Sequence, residues 1–195
     1  MTELADLIER NRSWAEGAAG HRSEFLSEVH AQQRPIVLWI GCVDSRVPPE
    51  TIVNAEPGEL LVHRNIGNLV LPYDANCCGV IDYAVDHLQV SHIVVCGHTG
   101  CGGVKAATDG ESHGRLDVWL RPIRDIRDRH SAELERMSDS AERGRRLCEL
   151  NALRQAENVR RLPSVRKASS EGRGPSIFAW LYDLSTGRLS DLGCR

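Results

Sequence analysis

Three short apolar runs narrow what this chain can fold into. PIVLWI (35–40) is a β-branched run started by proline, GELLVHRN (58–65) follows the turn signal EPG, and SHIVVCGH (91–98) ends in a glycine-rich turn; all three are strand-length. PIVLWI lacks polar alternation, the pattern of a strand buried on both faces. Between the second and third runs, NCCGVIDYAVDHLQ (76–89) predicts a helix with Val80, Ala84, Val85 and Leu88 on one side. Strands alternating with helices predict an α/β fold with a mainly parallel central sheet of four to five strands, flanked by helices. Further helices are expected over 115–130 and 139–162, and a short one after Pro163. PSIFAWLYDLSTGRLSDLG then reads as a strand, a turn and a last strand or tail. At the N-terminus, Leu4, Leu7, Ile8 and Trp14 predict a helix over 2–16, and a second is expected from about Ser23 to Gln33. No repeat or linker interrupts the pattern, so residues 1–195 are expected to form one domain, with 1–33 as a helical arm.

The formal net charge of −3 gives no reason to expect nucleic acid as a partner. The arginines between Arg121 and Arg146 alternate with Asp125, Asp128, Glu133, Glu135, Asp139 and Glu142, which is the pattern of a solvated helical face. The opening MTELADLIERNRSW has no apolar signal region, and no stretch approaches membrane-spanning length; a cytoplasmic protein is expected. Seven cysteines at irregular spacing then favour reduced thiols or metal ligands over a disulfide framework.

Chemistry concentrates at two strand ends. WIGCVDSRV (39–47) places Cys42, Asp44 and Arg46 at alternate positions, so in an extended chain a thiol, a carboxylate and a guanidinium converge. GHTGCGG (97–103) follows the third run and brings His98 and Cys101 together. In open α/β sheets, ligands bind beyond the carboxyl ends of the strands, so both groups belong at one edge. Cys42, His98 and Cys101 are donor types suited to zinc. The residues alone leave a second reading open, with both cysteines as small buried hydrophobes and His98 as a turn histidine.

CVDSRV followed by GHTGCGGV resembles the signature pair of the β-class carbonic anhydrases. EPGELLVHRNIGNLV, DYAVDHLQVSHIVVCGH, WLRPIRDIRDRH and LCELNALRQAENV are similar to that family in order and approximate spacing, so the resemblance covers about Gln33 to Asp191. It implies one zinc ion per chain, held by Cys42, His98 and Cys101 at the C-terminal ends of the strands. It also implies reversible hydration of carbon dioxide by a zinc-bound hydroxide, with Asp44 and Arg46 as a catalytic dyad. Asp44 would accept a hydrogen bond from the hydroxide, and Arg46 would hold Asp44 by a two-pronged contact.

The same resemblance implies an off state in which Asp44, released by Arg46, takes the metal's fourth position. In one subgroup that switch is stabilised by bicarbonate in a non-catalytic pocket, for which Trp39, Arg64 and Tyr182 stand at matching places. As alternatives, Trp39 and Tyr182 are core or interface aromatics and Arg64 a structural partner. Gly102 and Gly103 either permit a tight turn or position substrate with their amides. Cys77, Cys78, Cys96 and Cys148 read as packing residues, Cys194 as an exposed thiol, and His113 and His130 as surface histidines or proton relays. Family analogy adds a homodimer or homotetramer, with the N-terminal arm on a neighbouring subunit. Two alternative activities remain: hydrolysis of carbonyl sulfide or carbon disulfide on the same fold, and a zinc-stabilised sensor module without turnover.

Overall fold

The strands carry the frame. A computed structural model describes residues 4–112 and 114–193, which leaves His113 and Cys194 outside the described residues. Five strands, β1 (Val37–Cys42), β2 (Leu60–Asn65), β3 (His92–His98), β4 (Ser176–Asp183) and β5 (Arg188–Asp191), form one sheet in the order β2-β1-β3-β4-β5. The first three pairings are parallel, and only β4–β5 is antiparallel. From β1 the chain moves outward to β2 and then returns to the other side of β1 for β3. The order reverses between β1 and β3, which is where a parallel sheet opens a crevice at its carboxyl edge. Cys42 ends β1 and His98 ends β3, so both ligand candidates stand at that crevice.

Helices α3 (Ala75–Asp82), α7 (Ser140–Arg161) and α8 (Pro163–Ser170) supply the apolar cover for one face. Leu38 and Ile40 of β1, Ile93 and Val95 of β3, and Ile177 and Ala179 of β4 meet Ile81, Ala152, Ala156, Val159 and Val165 there. A second cluster joins Cys42 and Cys101 to Leu120 and Ile123 of α5 (Arg115–Arg129) and to Leu147 and Cys148 of α7, so the site rests on packed side chains. Along the opposite face, Trp39, Val94 and Cys96 pack with Phe178, Trp180 and Tyr182. Short helices α2 (Pro49–Ile52), α4 (Gly102–Ala106) and α6 (Ser131–Leu134) complete the connections. Among the described residues no helix is long and apolar enough to cross a membrane.

Three expectations need correction. The two N-terminal helices are one, α1 (Leu4–Ala31), which lies in a unit of its own ending at Arg34. Gly17 and Gly20 each cost about 1 kcal/mol relative to alanine, which weakens a helix without breaking it, and no proline intervenes. The helix over 76–89 is α-helical only to Asp82; Tyr83–His87 form a π turn, with the Leu88 amide donating to the Tyr83 carbonyl (3.0 Å). Gln89 closes it at φ 53°, where the Val90 amide reaches the Ala84 carbonyl (3.1 Å). Finally, Cys42, Asp44 and Arg46 do not converge by strand alternation. β1 stops at Cys42, and Asp44–Val47 is a turn closed by the Val47 amide on the Asp44 carbonyl (3.0 Å). Aspartate favours such turns because its carboxylate binds the backbone two residues on, here the Arg46 amide at 3.0 Å.

Candidate metal centre

At the crevice the Cys42 and Cys101 sulfurs lie 3.9 Å apart. Two sulfurs on one tetrahedral zinc, each about 2.3 Å from it, would stand about 3.8 Å apart. The His98 ring is fully buried, and its Nδ1 lies 2.9 Å from the Thr99 carbonyl. A carbonyl can only accept, so Nδ1 carries the proton and Nε2 presents a lone pair. That Nε2 has no hydrogen-bond partner among the described residues, although it is buried. One ligand atom from each of Cys42, His98 and Cys101 lies within 4.8 Å of the others. An orphaned imidazole nitrogen facing two sulfurs fits a borderline-soft cation such as zinc.

The surroundings favour a thiolate at Cys42. Its thiol is held well below the ordinary range chiefly by the hydrogen bond from Cys101, helped by the Gly67 and Asp44 backbones, against the opposing effect of burial. Cys101 is pushed up, as the partner that keeps the shared proton. A metal ion replaces that proton and allows both sulfurs to ionise.

Asp44 stands beside the donor set, its Oδ2 3.8 Å from His98 Nε2. Arg46 grips it with both prongs, Nε to Oδ1 at 2.9 Å and Nη2 to Oδ2 at 2.7 Å, and also reaches the Gly100 carbonyl at 3.3 Å. The Arg46 hydrogen bonds hold the Asp44 carboxyl far below the usual carboxylate range. The Asp44 side chain is 15% exposed and that of Arg46 59%, so the pair faces solvent from the arginine side.

Arg64 donates from Nε to the Cys42 carbonyl (2.7 Å) and from Nη2 to the Asp44 carbonyl (2.6 Å). It thereby ties edge strand β2 to the loop that carries both functional side chains. Trp39 shares a sheet face with Arg64, since Trp39 is two residues from Gly41, the register partner of Arg64. A Cβ on Gly41 would stand 2.6 Å from Trp39 Nε1, so glycine is what lets the indole lie across the strand. Trp39 Nε1 is buried without a partner among the described residues. Tyr182 packs against the same cluster, and its hydroxyl lies 3.9 Å from where a Cβ on Gly187 would be, in the β4–β5 turn. The turn after His98 is made by Gly100 at φ 65°, not by Gly102 or Gly103. A Cβ on Gly103 would come within 2.9 Å of Ile66, so that glycine permits α4 to sit against the 66–67 loop. Gly102 has open space around its Cα.

A polar ladder on α7 is the part that sequence reasoning missed. Asn151 Nδ2 donates to the Gly67 carbonyl (2.8 Å), and Gln155 accepts from the Val70 amide (3.0 Å). Gln155 Nε2 also donates to Asn151 Oδ1 (3.0 Å), and Asn158 reaches the Val70 carbonyl (2.9 Å). The ladder fixes the 67–70 loop, whose Gly67 backbone stabilises the Cys42 thiolate. Asn151, Gln155 and Asn158 at helical spacing beside Leu147 and Leu150 were the available signal, because buried amides demand partners. Gln155→Leu should therefore destabilise the fold by about 1–3 kcal/mol in urea unfolding, since it leaves the buried Val70 amide unpaired.

A mainly parallel α/β sheet with a Cys–His–Cys donor set at its switch point, and an arginine-gripped carboxylate beside it, defines a metal-site enzyme architecture. Comparison with known proteins narrows that class. The family model for carbonic anhydrase matches residues 37–189. A carbonic anhydrase of Emericella nidulans is 43% identical over 186 residues, covering 95% of this chain and 82% of its own. A tetrameric β-carbonic anhydrase of Sordaria macrospora superposes with a TM-score of 0.93 at 41% identity, covering 96% of this chain and 95% of that one. A Coccomyxa β-carbonic anhydrase, solved with acetazolamide, gives a TM-score of 0.92 at 38% identity, covering 98% and 87%. The chain belongs to the carbonic anhydrase family, in its β class.

Proposed function

We propose that this protein catalyses the reversible hydration of carbon dioxide to bicarbonate and a proton, with one zinc ion per chain on Cys42, His98 and Cys101. The observation that carries the reading is the buried, unpartnered His98 Nε2 facing two sulfurs, with a charged carboxylate alongside. Zinc bound there supplies a Lewis acid that makes hydroxide available from water near neutral or alkaline pH. Asp44, kept ionised by Arg46, can only accept a hydrogen bond, so it turns the proton of the attacking oxygen towards itself and the lone pair towards carbon dioxide. Because its pKa is lowered, Asp44 stays charged throughout the neutral range. A fall in activity below neutrality would then reflect scarcity of hydroxide, not protonation of this carboxylate.

Released from Arg46, the Asp44 carboxylate is close enough to the donor set to compete for the remaining metal position and keep water out. Arg64 supports a link between that switch and bicarbonate, because one guanidinium holds the carbonyls of both Cys42 and Asp44. An anion taking Arg64 would loosen this loop, and the unpaired Trp39 N–H on the same face offers that anion a donor. Tyr182 belongs to the same apolar cluster. A homo-oligomer working in the cytoplasm completes the proposal; the Sordaria macrospora relative is tetrameric.

Stopped-flow hydration assays on zinc-loaded protein at pH 7 and pH 9 test the activity, run beside a sulfide-release assay with carbonyl sulfide and carbon disulfide. Low hydration at pH 7 and a steep rise at pH 9 are expected; zinc-bound protein inactive at both would overturn the reading. Trp39→Phe keeps an aromatic ring and removes the N–H donor. It should flatten inhibition by bicarbonate with zinc content intact, and an unchanged bicarbonate response would rule out the regulatory pocket.

A further inference from the structure

A second set of mixed donors lies away from the centre described above. His63, Asp74 and Cys77 each offer a ligand atom within 4.8 Å of the other two. His63 stands in β2 opposite Ile40, two residues before Asn65, the register partner of Cys42. Asp74 caps α3, its Oδ1 accepting from the Asn76 amide at 3.1 Å, which leaves Oδ2 uncommitted by that cap. Cys77 follows three residues later in the first turn, and i, i+3 residues share a helix face. Cys77 is fully buried and His63 nearly so, whereas Asp74 is half-buried between exposed neighbours, Pro72–Tyr73 and Ala75–Asn76. The cluster thus has two ligands inside, one at the mouth, and a path to solvent.

We propose that His63, Asp74 and Cys77 form a second zinc site, independent of the first, with water as the fourth ligand. Imidazole with thiolate selects against magnesium and calcium, and one carboxylate completes a donor set that zinc accepts. Nitrogen, oxygen and sulfur donors on one tetrahedral zinc stand about 3.3–3.6 Å apart, so the cluster has to draw in by up to about 1.5 Å. Rotation of the Asp74 side chain at the mouth supplies part of that movement.

Two costs make this site weaker than the first. Burial, with the nearby Asp74 and Cys78 charges, pushes the Cys77 thiol up to about 12, so zinc must displace its proton. His63 must also give up a contact. The Asn65 amide is fixed by Leu69, which accepts from Nδ2 (2.7 Å) and donates to Oδ1 (2.7 Å), so the Nδ2 facing His63 Nε2 at 3.3 Å is a donor. Zinc on Nε2 takes the lone pair that Asn65 uses. Zinc on Nδ1 moves the ring proton to Nε2, where it opposes that donor. The second site therefore binds zinc more weakly than the first, and each ion bound there releases a proton from Cys77.

Equilibrium dialysis of the metal-stripped protein against excess zinc, with zinc and protein measured in the retentate, tests the assignment. About two zinc ions per chain are expected for the wild type, and about one for Cys77→Ala and for Asp74→Asn, which keeps a capping side chain. A Cys42→Ser/Cys101→Ser variant should retain about one, and lose it when Cys77→Ala is added. Cadmium titration in the Cys42→Ser/Cys101→Ser background should show a sulfur-to-metal absorption step that Cys77→Ala abolishes and Cys78→Ala leaves in place. Saturation of the wild type at one zinc, or two zinc ions retained by Cys77→Ala, overturns the proposal.

Discussion

Replacing His98 by alanine is expected to strip zinc from the catalytic centre and cut carbon dioxide hydration by at least about 10³-fold. The His98 side chain is fully buried, and its Nδ1 is committed to the Thr99 carbonyl, so Nε2 has one direction available. Without it, two sulfurs 3.9 Å apart remain, and they already satisfy each other by sharing a proton. A bidentate sulfur pair that must first give up that proton holds zinc poorly at neutral pH. Metal analysis and stopped-flow assays on the same preparation check this; an alanine variant that kept both zinc and turnover would remove His98 from the ligand set.

The dyad should separate cleanly from the metal. Asp44→Asn is expected to retain zinc and lose about 10²- to 10⁴-fold in kcat, because an amide can present a donor where an acceptor is required. Arg46→Lys keeps the charge but loses the fork that engages both carboxylate oxygens, so an intermediate loss is expected. In Arg46→Ala the carboxylate is free to compete for the metal, and activity at pH 7 should fall more than at pH 9, where hydroxide competes better. Stability gives a second readout with a fixed sign. The folded-state pKa of Asp44 is lowered mainly by its Arg46 hydrogen bonds, so the stabilisation is present above the unfolded value, about 3.9, and fades as pH falls towards the folded one. Loss of Arg46 should therefore shift acid unfolding to higher pH, modestly, because the arginine is largely exposed. A stripped, inactive Asp44→Asn protein would make Asp44 a structural residue instead.

Much of the frame was legible because it is encoded locally. Short apolar runs bounded by proline and glycine became β1, β2 and β3, and the pattern over 139–162 became α7. Misjudged elements were those where weak breakers compete with helix continuity. Gly17 did not end α1, and the helix after Ala75 widened into a π turn that no periodicity marks. The Asp44 turn shows a different failure, since residues two apart can meet through a closed turn as well as along a strand.

By itself, the sequence determined which donors are present and that they lie at strand ends: Cys42 at the end of one apolar run, His98 at the end of another, Cys101 one glycine turn later. That follows from local chemistry, because strand length and turn residues are written within a few positions of each other. Tertiary structure alone decided what holds those donors in place. The Asn151–Gly67, Gln155–Val70 and Asn158–Val70 hydrogen bonds join residues 84, 85 and 88 positions apart, and Arg64 reaches back 22 and 20 positions to the carbonyls of Cys42 and Asp44. Buried amides and guanidinium groups must find partners somewhere, but which partners they find depends on how α7 and β2 pack around β1.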